Sequence, residues 1–146
     1  MVHKLGGDWE KYRCRGEITD YSLDGNVLTI NQETAWCEQE GVRRIIEEKY
    51  PSIKVYFMEE EPGCGVFDTN DASGDYFPER FFLDSYEDCE YFETIEDAAK
   101  YVSEIVGHEV EASVNAVSQA LDDYIEEYEE ENPDLFYSFH EFAVID

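Results

Sequence analysis

Four carboxylates around a predicted hairpin are the side chains of this sequence that come closest to a catalytic arrangement. Glu60 and Glu61 precede the turn at Pro62-Gly63, and Asp68 and Asp71 lie on the returning side. Paired carboxylates transfer protons or hold Mg²⁺ when a fold brings them together. Their spacing does not show convergence, and no histidine, serine or cysteine is placed as an activated nucleophile. A small enzyme or metal-binding protein is therefore the alternative function.

The polar loop of residues 68–78 contains Asp and Asn side chains, which are also calcium ligands. Its spacing departs from the EF-hand pattern, in which glycine follows the fifth ligand position and a glutamate closes the loop. Asp and Asn also form turns by bonding nearby backbone groups. We therefore expect turn chemistry rather than a metal here. The side chains concerned are Asp68, Asn70, Asp71 and Asp75, around Gly74.

The cysteines and histidines do not form a metal-binding pattern. The four cysteines are more than 20 residues apart without a CxxC pair, and the three histidines are scattered. Structural zinc sites have regular ligand spacings, so we expect no metal and no cofactor. Isolated cysteines in a cytosolic protein are most often small, reduced core residues. The residues are Cys14, Cys37, Cys64, Cys89, His3, His108 and His140.

The net charge is the most unusual property of the sequence. The sequence has 10 Lys and Arg residues and 37 Asp and Glu residues, which gives a formal charge of −27. Lys100 is the last basic residue, and 13 acidic residues follow it. Such a chain cannot bind nucleic acid through its phosphates, or an anionic membrane by charge. The expected partner is a basic protein surface, with nucleic-acid-binding proteins as candidates.

Seven carboxylates, which we call the acidic segment, are predicted to end a long helix and to bind this partner. At about 100° per residue they fall on one side of the helix, opposite its apolar residues. Like charges repel, and acids in the last turn oppose the helix dipole. Seven carboxylates over about 14 Å compare with about eight phosphates on duplex DNA. Imitation of nucleic acid, docking on a basic protein and plain solubility all remain open. The segment consists of Asp122, Asp123, Glu126, Glu127, Glu129, Glu130 and Glu131.

The elements of the first half predict two hairpins around a helix. Residues 17–33 form a hairpin turning at Asp24-Gly25-Asn26, with a strand buried on at least one face. A helix capped by Thr34 has the apolar stripe of Val42, Ile45, Ile46 and Tyr50, and Pro51 ends it. Residues 53–58 alternate as a half-buried strand, and residues 64–69 return after the turn.

The second half predicts a strand, two helices and a final strand. Residues 77–83 form the strand, and a capping box of Thr94 and Asp97 opens the helix at 94–106. A longer helix covers 109–131, and residues 135–145 form the last strand. We predict a single α+β domain over 1–146, composed of 17–85, 94–131 and 135–146. Its topology is ferredoxin-like (split βαβ), an antiparallel sheet with an N-terminal hairpin, helices on one face and an extra acidic helix.

Membrane and export signals are not found in the sequence. No apolar run approaches the roughly 20 residues of a membrane-spanning helix. The first residues lack the apolar core of a signal peptide. We expect a cytoplasmic protein.

Several short stretches resemble the YubB-like proteins of bacterial plasmids, phages and conjugative elements. They are GDWEKY at 7–12, ETAW at 33–36, KYPSIKVYF at 49–57 and EEPGCG at 60–65. The resemblance covers roughly residues 5–85, without the N-terminal region usual in that family and without the acidic helical segment. It implies a ferredoxin-like fold and a mobile-element origin, but no reaction. In this interpretation Trp9, Trp36 and Gly63 are structural.

The preferred function is a non-enzymatic interaction protein, an inhibitor or decoy that engages a nucleic-acid-binding or defence protein of the host. It rests on the charge asymmetry and on the acidic segment.

Overall fold

Residues 2–8, 10, 15–86 and 88–146 are described by the structure, which is a computed structural model. Contacts divide the chain into two units, Met1–Val66 and Phe67–Asp146, which we call the N-terminal and C-terminal units. The fold is α+β, as predicted, with three α-helices among the described residues. The interpretation of Trp9 falls outside them.

A hairpin begins the N-terminal unit, as the Asp-Gly signal predicts. Strands β1 (Gly16–Asp24) and β2 (Val27–Thr34) pair antiparallel, with Asp24 opposite Val27. Gly25 has a φ of 60°, which two-residue hairpin turns require and glycine adopts without strain. The expected burial is wrong, because residues 16–33 are all exposed. Periodicity indicates which face of a strand is apolar, but burial needs a second layer on that face.

Helix α1 (Glu40–Lys49) begins five residues later than Thr34 predicts. Gln39 is its N-cap, and Thr34 is the last residue of β2. Val42 and Ile45 are buried and, with Leu5 and Ile46 packed against them, form the small core of this unit. The helix ends before Pro51, as predicted.

The predicted strand at 53–58 is displaced in the structure. Strand β3 (Met58–Glu61) begins only at the last residue of this stretch. The main-chain N–H of Val55 donates to the carboxylate of Glu47 at 2.9 Å, and that of Ile53 donates to the carbonyl of Tyr50 at 2.8 Å. These local bonds take backbone donors that a strand ladder would use. A short 3-10 turn (Pro62–Cys64) leads through Gly65, at a φ of 66°, into β4 (Val66–Thr69).

The C-terminal unit is built on a three-stranded antiparallel sheet. Its order is β6 (Cys89–Phe92), β5 (Phe81–Ser85), β7 (Tyr137–Glu141). The sequence predicts β5 four residues too early and does not predict β6. Alternate residues of the sheet face helices α2 (Ile95–Val106) and α3 (Val114–Tyr128). The buried core between them consists of Phe81, Leu83, Phe92, Ala98, Ala99, Val102, Val117 and Leu121.

The ends of α2 follow the predicted signals. The Thr94 hydroxyl oxygen accepts the main-chain N–H of Asp97 at 3.2 Å and donates to its carboxylate at 2.7 Å. Gly107 closes the helix with a φ of 77°. Such a cap contributes about 1 kcal/mol.

Strand β8 (Ala143–Val144) pairs parallel with β4, where Asp68 lies opposite Ala143 and Thr69 opposite Val144. The strand pairs β1–β2, β5–β6 and β5–β7 are antiparallel. A ferredoxin-like topology is not established by these pairings and stays a prediction. Among the described residues, no helix has both the length and the apolar character needed to cross a membrane.

Candidate partner-binding surface

The acidic segment is carried by a helix that is firmly packed at its centre. Ser113 caps the first turn of α3 by accepting the main-chain N–H of Ala116 at 3.3 Å. Val117 and Leu121 are buried against α2 and the sheet. Tyr124 packs against Tyr128, with ring centroids 4.7 Å apart, and against Tyr137 of β7 at 6.3 Å. One side of α3 is therefore fixed to the core as far as its last turn.

The opposite side of α3 presents carboxylates to solvent. At about 100° per residue, the four helical acids of the segment occupy a sector of about 140°. Gln119 Nε2 donates to the Asp123 carboxylate at 2.7 Å. All seven acids are exposed, as predicted. In the part of the chain that the structure describes, none of them forms an ion pair, and both ion pairs present there lie in the N-terminal unit.

The predicted extent of the acidic helix is wrong at both ends. The helix begins at Val114, because the Ser113 side chain caps that turn and the Val110 N–H donates to Ser103 Oγ at 2.9 Å. It ends at Tyr128. Glu129 is the C-cap, and Glu130 and Glu131 lie in the turn that follows. The seven carboxylates therefore do not share one helical face, and the comparison with regularly spaced phosphates applies only to Asp122, Asp123, Glu126 and Glu127.

The polar loop after β4 is a turn held together by Asp71. The Asp71 carboxylate accepts the main-chain N–H groups of Tyr76 at 2.7 Å and Phe77 at 2.9 Å, and the Ser73 hydroxyl at 2.9 Å. Asp71 is fully buried. Gly74 has a φ of 75°, which the loop needs in order to fold back. This is the turn chemistry that the sequence predicts.

The surroundings of Asp71 set its ionisation. Burial, the largest single influence, raises the pKa of this carboxyl, whereas the N–H groups of Phe77 and Tyr76 and the Ser73 hydroxyl lower it. Together the hydrogen bonds prevail, and the pKa falls from 3.8 to about 2. Asp71 is thus a permanently charged structural group at neutral pH, which does not suit it to acid–base catalysis.

The other three carboxylates of the alternative function lie in strands. Glu60 and Glu61 belong to β3, and Asp68 belongs to β4. Within the described ranges, no group of three or more His, Cys, Asp or Glu side chains could hold a metal ion.

Arg80 connects the Asp71 loop to the start of β5, the central strand of the sheet. Its Nη2 donates to the main-chain carbonyl of Asp71 at 2.5 Å. Its own main chain bonds to Phe92 and Phe142 at 2.8 and 2.9 Å. Nη1 is buried without a hydrogen-bond partner among the described residues. These contacts give Arg80 a structural role, which is to hold the Asp71 loop against the sheet.

A serine–histidine pair, which the sequence reasoning missed, lies on the sheet face opposite the helices. Ser138 Oγ and His140 Nε2 are 2.6 Å apart, and the His140 ring stacks on Phe67 at 4.0 Å. Their spacing of two residues on a strand was the available signal, since it puts both side chains on one face. Burial lowers the pKa of His140, and the Asp84 carboxylate partly offsets this.

Such a pair meets the first requirement for activating a nucleophile, a hydroxyl within reach of a ring nitrogen. The second requirement is an acid bonded to the other nitrogen. In the described chain no hydrogen bond joins Asp84 to this ring, and Asp84 Oδ1 instead accepts from Cys89 Sγ at 3.4 Å. The pair is part of a packed aromatic layer with Phe67 and Phe82.

Two expectations about structural residues are wrong. Cys37, Cys64 and Cys89 are exposed instead of buried, and Cys14 lies outside the described residues. Trp36 is 70% exposed and has a φ of 80°, so it does not pack as a structural anchor. Gly63 lies within the turn before β4, but the left-handed position there belongs to Gly65.

Comparison of the chain with protein-family models, with curated proteins and with solved structures finds no match.

Proposed function

We propose that this chain is a non-enzymatic acidic interaction module that binds a basic protein surface through the acidic segment. The observation that carries the proposal is the set of seven exposed carboxylates, without an ion pair among the described residues, at the end of α3. The partner class is a host nucleic-acid-binding or defence protein, and the chain acts on it as an inhibitor or decoy.

The stability cost of this arrangement supports a functional role. The C-terminus of a helix carries a partial negative charge, which favours Lys or Arg and disfavours acids. The last turn of α3 contains no basic residue. Neighbouring acids three or four positions apart also repel one another. A surface that served solubility alone could mix both charge signs and avoid both costs.

The rigid attachment of α3 supports a binding role as well. Val117 and Leu121 hold the helix on the core, so its carboxylates do not have to be ordered when a partner binds. Ordering side chains and loops on binding costs affinity, and a preformed surface avoids part of this cost.

The mobile-element origin, the cytoplasmic location and the ferredoxin-like topology belong to the same proposal. They rest on the sequence, and for the origin on the resemblance to the YubB-like proteins. The alternative, an enzyme or metal-binding protein using Glu60, Glu61, Asp68 and Asp71, has no observation in its favour, because Asp71 serves to close its own loop.

The test compares two variants that remove equal charge from different surfaces. The first neutralises the helical part of the acidic segment through Asp122→Asn, Asp123→Asn, Glu126→Gln and Glu127→Gln. The control neutralises four exposed acids of the hairpin through Glu17→Gln, Asp20→Asn, Asp24→Asn and Glu33→Gln. Each tagged protein is incubated with bacterial lysate, washed through a salt series and then with excess duplex DNA.

We expect the wild type and the control to retain a nucleic-acid-binding protein that salt and DNA release. The acidic-segment variant should lose it or release it at clearly lower salt, because fewer charges attract the partner. Equal retention by both variants would show that these carboxylates serve solubility. A partner that neither salt nor DNA displaces would likewise contradict the proposal.

A further inference from the structure

Strand β7 is an edge of the sheet in the C-terminal unit. The sheet order is β6-β5-β7, so β7 pairs with β5 on one side only. The main-chain N–H of Phe142 donates to the carbonyl of Arg80 at 2.9 Å, in line with the antiparallel register of the two strands. Hydrogen-bonding direction alternates along such a ladder, so every second residue before Phe142 bonds to β5. The residues between them, Phe139 and Glu141, direct their N–H and C=O groups away from β5.

The outward main-chain groups of β7 are open to a further strand. Among the described residues, no hydrogen bond involves the outward N–H or C=O groups of Phe139 and Glu141. Edge strands are often protected by lysine, proline or a bulge. Strand β7 contains no Lys or Pro, and its register with β5 runs without interruption from Phe81–Glu141 to Ser85–Tyr137. An extended chain can therefore add to this edge through main-chain hydrogen bonds.

Helix α3 packs on this edge strand. The ring of Tyr124 lies 6.3 Å from the ring of Tyr137, the first residue of β7. Leu121 is buried in the core against which Phe139 packs. Residues 129–136 alone connect the end of α3 to β7. The last turns of α3, which carry the acidic segment, therefore lie beside the beginning of β7.

The charge near this edge determines which chain it favours. Glu141 is exposed at the end of β7, and no Lys or Arg follows Lys100, so α3 and β7 supply only negative charge. A strand added to β7 would lie about 4.8 Å from it. Alternate side chains of that strand would project to the side of the sheet that carries α3. Basic side chains are attracted there, and acidic ones are repelled.

We propose that an extended basic segment of the partner protein adds to β7 as a fourth strand of this sheet. Its main chain bonds to the N–H and C=O groups of Phe139 and Glu141, and its Lys or Arg side chains meet the acidic segment. The main-chain bonds supply affinity for any extended chain, and the alternate side chains supply the preference for a basic one. This inference rests on the proposed function, because it assigns the way in which the same partner is bound.

The probe is a synthetic peptide of about eight residues that alternates Arg with Thr, a good strand former. The control peptide has the same sequence and charge, but a methyl group on every main-chain nitrogen removes its donors. Calorimetric titration of the whole chain with up to about 1 mM peptide covers micromolar affinities. We expect the methylated peptide to bind about tenfold more weakly or worse, because it keeps the charge attraction but loses the main-chain bonds.

Two further measurements locate the probe on β7. Amide hydrogen exchange at Phe139 and Glu141 in the unaltered protein should slow at saturating probe, because hydrogen-bonded amides are protected. Glu141→Pro removes one outward donor and no bond to β5, and proline is tolerated at such edge positions. It should weaken the probe about five- to tenfold. Glu141→Gln is the matched control, which removes the charge but keeps the donor and should weaken the probe about twofold or less.

The outcomes separate this inference from the proposed function. Equal binding of both peptides, weakened equally by the fourfold variant of the acidic segment, would show that charge alone holds the partner. The inference would then be overturned and the proposed function would stand. Unchanged exchange at Phe139 and Glu141 in the bound state, or no binding of the probe at about 1 mM, also overturns the inference. A probe that protects β7 but binds the fourfold variant as tightly as the wild type overturns the basic occupant and counts against the proposed function as well.

Discussion

The carboxylate of Asp71 accepts a hydrogen bond from the main-chain N–H of Tyr76 at 2.7 Å and thereby closes a loop of six residues onto one buried charge. The neighbouring Asp75 accepts only from the Ser73 hydroxyl, at 2.8 Å, among the hydrogen bonds described for it. Of these two aspartates, Asp71 therefore holds the loop together, whereas Asp75 contributes little to it.

Asp71→Asn should lower the free energy of unfolding of the C-terminal unit by about 2 kcal/mol, because the amide cannot accept as many hydrogen bonds as the carboxylate. Asp75→Asn should change it by less than about 0.5 kcal/mol. Urea unfolding followed by circular dichroism measures both. Equal effects of the two variants would contradict the structural role of Asp71.

The same carboxylate predicts a pH dependence. Its pKa is about 2 in the folded protein against 3.8 when free, so the unfolded chain takes up the proton first as the pH falls. Its contribution is complete above about pH 4 and is lost between 3.8 and about 2. The stability difference between wild type and Asp71→Asn should therefore shrink across this window. A difference that stays constant down to pH 2 would contradict the prediction.

The lowered pKa of His140 leads to a second pH effect, in the same direction but at higher pH. Burial lowers the pKa of its ring below 6.5, so the unfolded state binds the proton first when the pH falls past that value. Stability should decline as the pH drops below about 6.5. His140→Phe keeps an aromatic ring beside Phe67 but cannot titrate, and its stability relative to wild type should rise over that range. If the free energies of unfolding of the two proteins changed in parallel with pH, His140 would not contribute to the pH dependence of stability.

Neutralising the helical acids should stabilise the protein. The variant with Asp122→Asn, Asp123→Asn, Glu126→Gln and Glu127→Gln removes charges that oppose the helix dipole and repel each other. At low salt we expect the free energy of unfolding to rise by about 1 kcal/mol, measured by thermal or urea unfolding. This gain should fade as salt screens the charges. Glu96→Gln is the control with the opposite sign, because Glu96 lies in the first turn of α2, where an acid is favourable. A loss of stability in the fourfold variant would contradict this account.

A side chain at Gly16 should disturb the start of the hairpin for steric reasons. A Cβ at this position would lie 2.4 Å from the main-chain oxygen of Glu33, so the strands would have to separate. Gly16→Ala should cost about 1–3 kcal/mol and speed amide exchange in β1 and β2. At Gly63 the nearest atom is the flexible Glu61 carboxylate at 3.3 Å, so Gly63→Ala should have a small effect. Normal exchange in Gly16→Ala would contradict the strand contact.

Local signals in the sequence predict local structure well. The Asp24-Gly25 turn and the Thr94 cap with Gly107 are specified within a few residues, and the structure contains them. The prediction of a strand over 53–58 is wrong at its start, because the Glu47 carboxylate, eight residues from Val55, accepts the backbone N–H of Val55. Alternation alone does not reveal such a competitor.

The candidate site could be predicted in its exposure but not in its shape. The exposure of the acidic segment follows from its charge. The end of α3 at Tyr128 could not be predicted, because no Gly or Pro at that point marks the end of the helix. The exposure of the hairpin was not predictable either, because the alternation of Tyr21 and Leu23 with polar residues indicates an apolar side but not whether another layer covers it.

The absence of basic side chains after Lys100 has a consequence for proteolysis. Trypsin cuts after Lys and Arg, and the C-terminal unit offers only Arg80 and Lys100. Arg80 is partly buried, and Lys100 lies in the middle of α2. Residues 101–146, with α3 and the whole acidic segment, would leave as one fragment, and only after α2 opens. The rate at which trypsin releases that fragment therefore reports directly how often the core around α2 comes apart.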